Sequence, residues 1–174
     1  MPGWTLRAVD TDDGEFLYRV YAGTRAEELG RLGWDAAQQE SFLRMQLRAQ
    51  DQHFRREFPA AQHAVVQLDG VDVGRLVVDR RDGEIGIIDI ALLPGQRGAG
   101  LGSALLRSVM DEAAATSRRV SLHVACDNPA LALYRKLGFA EIEERSAYKL
   151  MHWHPPGGST PRPSPRTAAA SLAA

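Results

Sequence analysis

The run Leu92-Leu93-Pro94-Gly95-Gln96-Arg97-Gly98-Ala99-Gly100-Leu101-Gly102-Ser103 constrains this 174-residue chain more than any other stretch. Before it, Ile85, Ile87, Ile88 and Ile90 make a β-branched apolar segment; after it, Leu101, Leu105 and Val109 recur at helical spacing. The run therefore joins a strand to a helix through a glycine turn. Gly98, Gly100 and Gly102 leave no side chain between the turn's N–H groups and a ligand. Those donors, with the positive end of the helix dipole, form a cradle for phosphate oxygens. Arg97 at the lip suits the same anion. The sequence thus predicts a phosphate-bearing cofactor held mostly by main chain.

Two familiar phosphate loops fit poorly. A Walker loop needs Lys and then Ser or Thr after its second glycine, but counting from Gly95 that glycine is Gly100 and Leu101 follows it. A dinucleotide fingerprint needs a third glycine where Ser103 stands, and an acidic residue closer than Asp127. It also opens its domain, whereas about half of this chain precedes the loop. The downstream sequence is more specific. Val120 to Val124 reads as a strand, Asn128 as a helix N-cap with Pro129 at the first helical position, and Gly138 as the helix stop before Phe139.

With those residues together, the chain resembles the GNAT superfamily of N-acetyltransferases over roughly Glu84 to Met151. Arg97-Gly98-Ala99-Gly100-Leu101-Gly102 matches the R/Q-x-x-G-x-G/A loop that binds an acyl-CoA pyrophosphate in that family. Asn128, Ala130 (or Leu131), Tyr134 and Leu137-Gly138-Phe139 match its Asn–Ala–Tyr–Gly-Phe motif in slightly compressed form. The resemblance implies acetyl-CoA as co-substrate, no metal, and direct attack of a primary amine on the thioester in a ternary complex. It also implies that the strand before the loop splays from its neighbour, so that main-chain groups of Ile90 and Leu92 face the cofactor arm and the Leu92 N–H stabilises the developing oxyanion. Arg97, Gly98, Ala99, Gly100, Leu101, Gly102, Ser103 and Asn128 complete the expected cofactor site.

Elementary chemistry assigns the remaining roles. Tyr134 is the candidate acid, because a phenol of pKa about 10 can protonate a departing thiolate. An alkylammonium acceptor must first lose a proton, and Asp89 and Glu84 lie on the strand that leads to the loop. Asp89 sits in an apolar run, where an unpaired carboxylate is costly, so it is expected to face a polar cleft or a partner. Strict alternation places the two carboxylates on opposite faces, and Asp89 is preferred as base. Cys126 has no paired histidine in view and is expected to be a small buried residue.

The element pattern is β-α-α-β-β-β-α-β-α-β. An edge strand over Trp4–Val9 leads to a helix from Asp12 or Asp13 to Leu29 and a second helix from an Asp35 cap to Phe54. Hairpin turns at Asp69-Gly70 and Asp82-Gly83 join strands His63–Leu68, Val71–Val78 and Glu84–Leu92, and a last strand covers Ala147 to Trp153. This predicts an α/β fold: a mixed, largely antiparallel GNAT-like sheet with helices packed on it.

Length gives one domain, 1–154, as the acyl-CoA N-acyltransferase unit. From Pro155 the chain turns to Pro, Gly, Ser, Thr and Ala without apolar period, so 155–174 is expected to be a disordered tail. A net charge of −1 gives no pull toward nucleic acid or anionic membrane, and no apolar run is long enough to span a bilayer. One cysteine cannot form an internal disulfide, and the absence of a signal-peptide core points to the cytoplasm. His152-x-His154 without a third ligand nearby is expected on a surface strand. The expected partner is a small-molecule or peptide amine, bound to a monomer or homodimer. Mixed charges between Tyr21 and Phe58, where the resemblance puts the acceptor, do not select among amines. Two other classes remain open: a non-catalytic acyl-CoA-binding sensor or scaffold, and a nucleotide-binding oxidoreductase.

Overall fold

The structure, a computed structural model, describes residues 3–157. Strand β1 (Trp4–Ala8) leads through a 3-10 turn (Thr11–Asp13) into α1 (Gly14–Gly30) and α2 (Ala36–Glu57). Strands β2 (Gln62–Leu68), β3 (Val71–Arg81) and β4 (Glu84–Leu92) follow, then α3 (Leu101–Ala115), β5 (Arg119–Ala125), α4 (Leu131–Lys136), β6 (Ala140–Arg145) and β7 (Tyr148–Trp153). The seven strands form one sheet in the order β1-β2-β3-β4-β5-β7-β6. Every neighbouring pair is antiparallel except β4 and β5. That parallel pair is the one joined by a helical crossover, as a parallel connection requires.

Both hairpin turns fall where the sequence places them. Asp69 and Gly70 have φ of 50° and 81°, the two positive values that a tight two-residue hairpin needs. Asp35 caps α2 with a capping box to Gln38. The first helix is entered differently from expectation. Asp10 caps a 3-10 turn, and α1 proper begins at Gly14. Asp13 ends that turn buried, held by Arg7 at 2.6 Å, and Arg7 also binds Asp72 at 2.6 Å, tying β1, the helix entry and β3 together.

The chain ends in two strands where the pattern predicted one. Strand β6 is exposed along its whole length and carries Glu141, Glu143, Glu144 and Arg145. Charged residues are what a sheet edge tolerates, and they erase the apolar alternation by which a strand is read. His152 is also not a surface residue: it is buried in β7, with the His154 ring 6.1 Å away. Cys126 is half-buried rather than enclosed. The tail expected over 155–174 lies outside the described residues from 158 onward.

Helices cover both faces. Leu101, Leu105, Leu106, Val109, Met110 and Ala113 of α3 and Leu131 and Tyr134 of α4 pack on Leu76, Ile87, Ile90, Leu122 and Met151. On the other face, Phe16 and Val20 of α1 meet Val65 and Ala91, while Phe54 of α2 meets Val77 and Ile88. Among the described residues no helix is long and apolar enough to cross a membrane.

One irregularity opens the sheet. Val77 pairs with Asp89 and Val78 with Ile87, so Ile88 has no partner on β3 and forms a bulge. The pairing of β4 with β5 stops at Ile87–Leu122, one residue before that bulge. Both strands continue, β4 to Leu92 alongside β3 and β5 to Ala125 alongside β7, with no pairing across the gap between them. Gly74 lets β3 follow the bent strand, since a Cβ there would lie 2.5 Å from the Ala91 carbonyl oxygen and 2.6 Å from Leu92 Cδ2. Replacing it with a larger residue overpacks the hairpin at the gap. Gly74→Val is expected to destabilise the fold by about 1–3 kcal/mol, read by urea unfolding; an unchanged midpoint would show that β3 can shift without strain.

Candidate active site

The mouth of the gap is lined by main chain. The Leu93 N–H donates to the Val73 carbonyl at 2.9 Å, which sets the phase of the antiparallel ladder. With Leu93 and Ala91 turned toward β3, the N–H and C=O groups of Ile90 and Leu92 point the other way, into the space that β5 has left. The Arg97 side chain confirms this direction for Leu92: its Nε donates to the Leu92 carbonyl oxygen at 3.0 Å. The Leu92 N–H, on the same edge, is the donor left facing the gap.

The glycine turn closes one end of the opening. Pro94–Gln96 form a 3-10 turn that rests on α1, where a Cβ at Gly23 would come 2.9 Å from Pro94 Cδ. Gly98 and Gly100 have φ of 77° and 89°, backbone conformations that side chains rarely adopt, and a Cβ on either would meet no atom within 4 Å. Gly100 is the N-cap of α3, and the first bond of that helix is Ala104 N–H to the Gly100 carbonyl at 3.0 Å. The N–H groups of Leu101, Gly102 and Ser103 precede it and are the orphan donors of the helix start. Leu101 turns its side chain into the core, so it offers a ligand only main chain, while Ala99 is exposed on the turn. Here a left-handed turn, open space and unpaired donors coincide, which is the shape and chemistry a pyrophosphate needs.

Tyr134 is buried beneath the gap, edge-on to Phe139 with ring centroids 5.9 Å apart. No group among the described residues hydrogen-bonds its hydroxyl. Burial, and secondarily the charge of Asp89, push the phenol above its ordinary pKa, so it holds its proton firmly. Asn128 does not cap the helix at the position expected. Its Oδ1 accepts from the Ala130 N–H at 2.8 Å, and its carbonyl from Leu131 at 3.1 Å, so Asn128 and Pro129 form a turn and α4 begins at Leu131. The side chain fixes the entry to the short helix that carries Tyr134.

Asp89 is fully enclosed and paired, as its apolar setting required. Arg75 Nε reaches Asp89 Oδ2 at 2.6 Å and Arg75 Nη2 contacts the same oxygen. The guanidinium also binds Asp51 at 3.1 Å and Gln50 at 2.6 Å, both on α2, and lies over the Phe54 ring. Desolvation pushes the Asp89 carboxyl above its ordinary range, with Arg75 pulling partly back. The bulge also alters the expected geometry. Ile88 and Asp89 both lie on the α2 side, so alternation fails across them and Asp89 comes to the face that Glu84 shares with Ser121. Glu84 is engaged elsewhere: Arg119 at 2.6 Å, Arg81 at 2.8 Å and Ser121 at 2.9 Å bind it and hold its carboxyl low despite burial.

Residues 27–139, more than half of the chain, match the sequence profile of the Acetyltransferase (GNAT) family. The chain belongs to the GNAT acetyltransferase family. Its fold is shared with solved members at low identity. The PaiA N-acetyltransferase from Thermoplasma acidophilum, crystallised with coenzyme A, superposes with a TM-score of 0.66 at 16% identity, covering 87% of this chain and 99% of that one. The ribosomal-protein-S18-alanine N-acetyltransferase from Escherichia coli gives 0.60 at 20% identity, with 87% and 94% covered. A spermidine N-acetyltransferase chimera from Vibrio cholerae gives 0.59 at 21%, with 87% and 95% covered.

Arg75 is the site residue that sequence reasoning passed over. A signal for it existed: an arginine and an aspartate, each flanked by apolar residues, stand on the two arms of a hairpin whose turn fixes their register. Because the pair is enclosed, removing one partner leaves an uncompensated charge. Arg75→Gln is expected to cost about 3–5 kcal/mol in urea unfolding, and Arg75→Met combined with Asp89→Leu to cost less than the single change. A single variant as stable as the parent would show that Asp89 is not charged in the fold.

Proposed function

We propose that this acetyltransferase moves the acetyl group of acetyl-CoA onto a primary amine by direct attack, with both substrates bound together. The observation that carries this reading is the gap between β4 and β5, where the β4 edge at Ile90 and Leu92 has no strand opposite and the glycine turn closes the end. Acetyl-CoA, when bound, supplies an acyl carbon activated as a thioester. In the proposed complex Gly98, Ala99, Gly100, Leu101, Gly102 and Ser103 hold its pyrophosphate through N–H groups, with Arg97 at the lip.

The Leu92 N–H is the donor for the oxygen on which charge develops. A fixed donor of this kind is worth about 3–4 kcal/mol elsewhere. Tyr134 is the acid: burial keeps its phenol protonated at neutral pH, so a proton is present when the thiolate forms beside it. Asp89 is the base. Its carboxyl, held by Arg75 through Oδ2, is assigned to take the amine's proton, and desolvation raises its basicity. Asn128 acts through the turn that positions α4. The acceptor is a small-molecule or peptide amine, which fits relatives named for acting on an alanine of ribosomal protein S18 and on spermidine.

Release of coenzyme A across an amine panel tests the activity, and two variants test the assignment. Tyr134→Phe keeps the ring's packing and is expected to lower kcat by about 10²–10⁴ with acetyl-CoA affinity little changed. Gly100→Glu is expected to abolish acetyl-CoA binding in calorimetry while the protein stays folded. Unchanged kcat in Tyr134→Phe, with chemistry rate-limiting, would leave Tyr134 a packing residue. Acetyl-CoA binding without turnover of any amine would instead favour a sensor.

A further inference from the structure

A second concavity opens on the α2 side of the sheet. It is a cleft of about 290 Å³ between α1 and α2, lined by Tyr21, Arg25, Gln46, Ala49, Gln50, His53 and Phe54. Its floor backs onto the Arg75–Asp89 pair: Gln50 accepts from Arg75 Nη2 at 2.6 Å, and Arg75 lies 5.9 Å over the Phe54 ring. An acceptor entering here from the helix side would approach the carboxylate assigned as base.

The lining selects by charge. It holds the Arg25 guanidinium and no carboxylate, which is the wrong sign for a polycation. The nearby acidic groups are committed, Asp51 to Arg75 at 3.1 Å and Glu28, itself 67% exposed, to Arg25 at 3.2 Å. Gln46 Oε1 accepts the Tyr21 hydroxyl at 3.2 Å, so what Gln46 has left to present is its amide donors. Arg25 is the telling residue. Its Nη1 makes a loose contact with Glu28 at 3.2 Å, and its guanidinium leans on the Tyr21 ring at 5.7 Å. Its Nε is buried and hydrogen-bonds nothing, the one such side-chain atom among the described residues. A buried donor without an acceptor is costly, and it marks a place where a ligand atom completes the site.

We propose that the acceptor is an amine whose molecule also carries a carboxylate, held by Arg25 at the outer end of the cleft while the amino group reaches toward Asp89. The inference rests on the acetyl-transfer reading for the direction of the amine, and on the cleft alone for the anion. It separates carboxylated amines from polyamines, which the sequence could not do.

Direct binding tests it independently of turnover. Calorimetry on the full chain, with and without coenzyme A, would compare ω-amino acids of increasing length (glycine, β-alanine, 4-aminobutyrate, 6-aminohexanoate) with their primary amides. For the best-fitting length the carboxylate is expected to bind about 10–100-fold tighter than its amide, as a charge-assisted hydrogen bond implies. Arg25→Gln should bring the two within about twofold, and Arg25→Lys should restore part of the preference. Equal affinity of acid and amide, tighter binding of a diamine such as putrescine, no detectable binding of any carboxylate, or a preference that survives Arg25→Gln would each overturn the proposal. Coenzyme A release from the same amines reports separately on acetyl transfer, so carboxylate binding without release would sink that reading and leave the anion site standing.

Discussion

The parting of β4 from β5 is the constraint on which the rest of this molecule depends. Parallel pairing is lost at Ile87, and the loss coincides with a single unpaired residue, Ile88, on the opposite edge of the same strand. A bulge bends and twists its strand, so β4 leaves β5 while staying bonded to β3. The consequence is unusual for a sheet interior: a row of main-chain donors and acceptors at Ile90 and Leu92 with no strand opposite. Arg97 Nε meets the Leu92 carbonyl, and in the proposed complex the cofactor arm meets the main-chain groups that no strand satisfies.

The same bulge arranges the two sides of the chemistry. By turning Ile88 and Asp89 to one face, it sets an acidic group against Arg75 and α2, while Ile87 and Ile90 stay in the core under α3 and α4. Tyr134, in the core with α3, and Asp89, on the α2 side, therefore lie on opposite faces of the sheet, and the phenol's pKa is raised by burial first and by the carboxylate's charge second. In the proposed reaction these two are the acid and the base, set for a leaving group and a nucleophile that arrive from different directions. The glycine turn is the third part, anchored through Pro94 against Gly23 of α1 so that the α3 start faces the gap.

Much of this was legible in the sequence because it is local. The β4-turn-α3 unit, both hairpin turns, the Asp35 cap and the Tyr134 helix rest on glycines, caps and periodicity within a few residues, and each appears in the structure. What escaped was non-local or masked. The bulge is a register event between two strands, and alternation within β4 alone places Asp89 and Glu84 on opposite faces. Arg75 belongs to the site through a cross-strand contact. Strand β6 is hidden by the charges that suit an edge, and His152 is buried by a neighbouring strand that a local reading does not see. The cleft at Arg25 exists only because α1 and α2 pack together, so mixed charges along Tyr21 to Phe58 carried no selectivity until the helices sorted them.

The central claim is that the cofactor binds where β4 has no partner. Amide resonances followed during a coenzyme A titration test it residue by residue. The account predicts the largest shifts at Ile90, Leu92, Gly98, Gly100 and Gly102, with Ala91 and Leu93, whose N–H groups face β3, disturbed much less. Saturable binding that leaves Ile90 and Leu92 unmoved, or that perturbs the cleft between α1 and α2 instead, would contradict it.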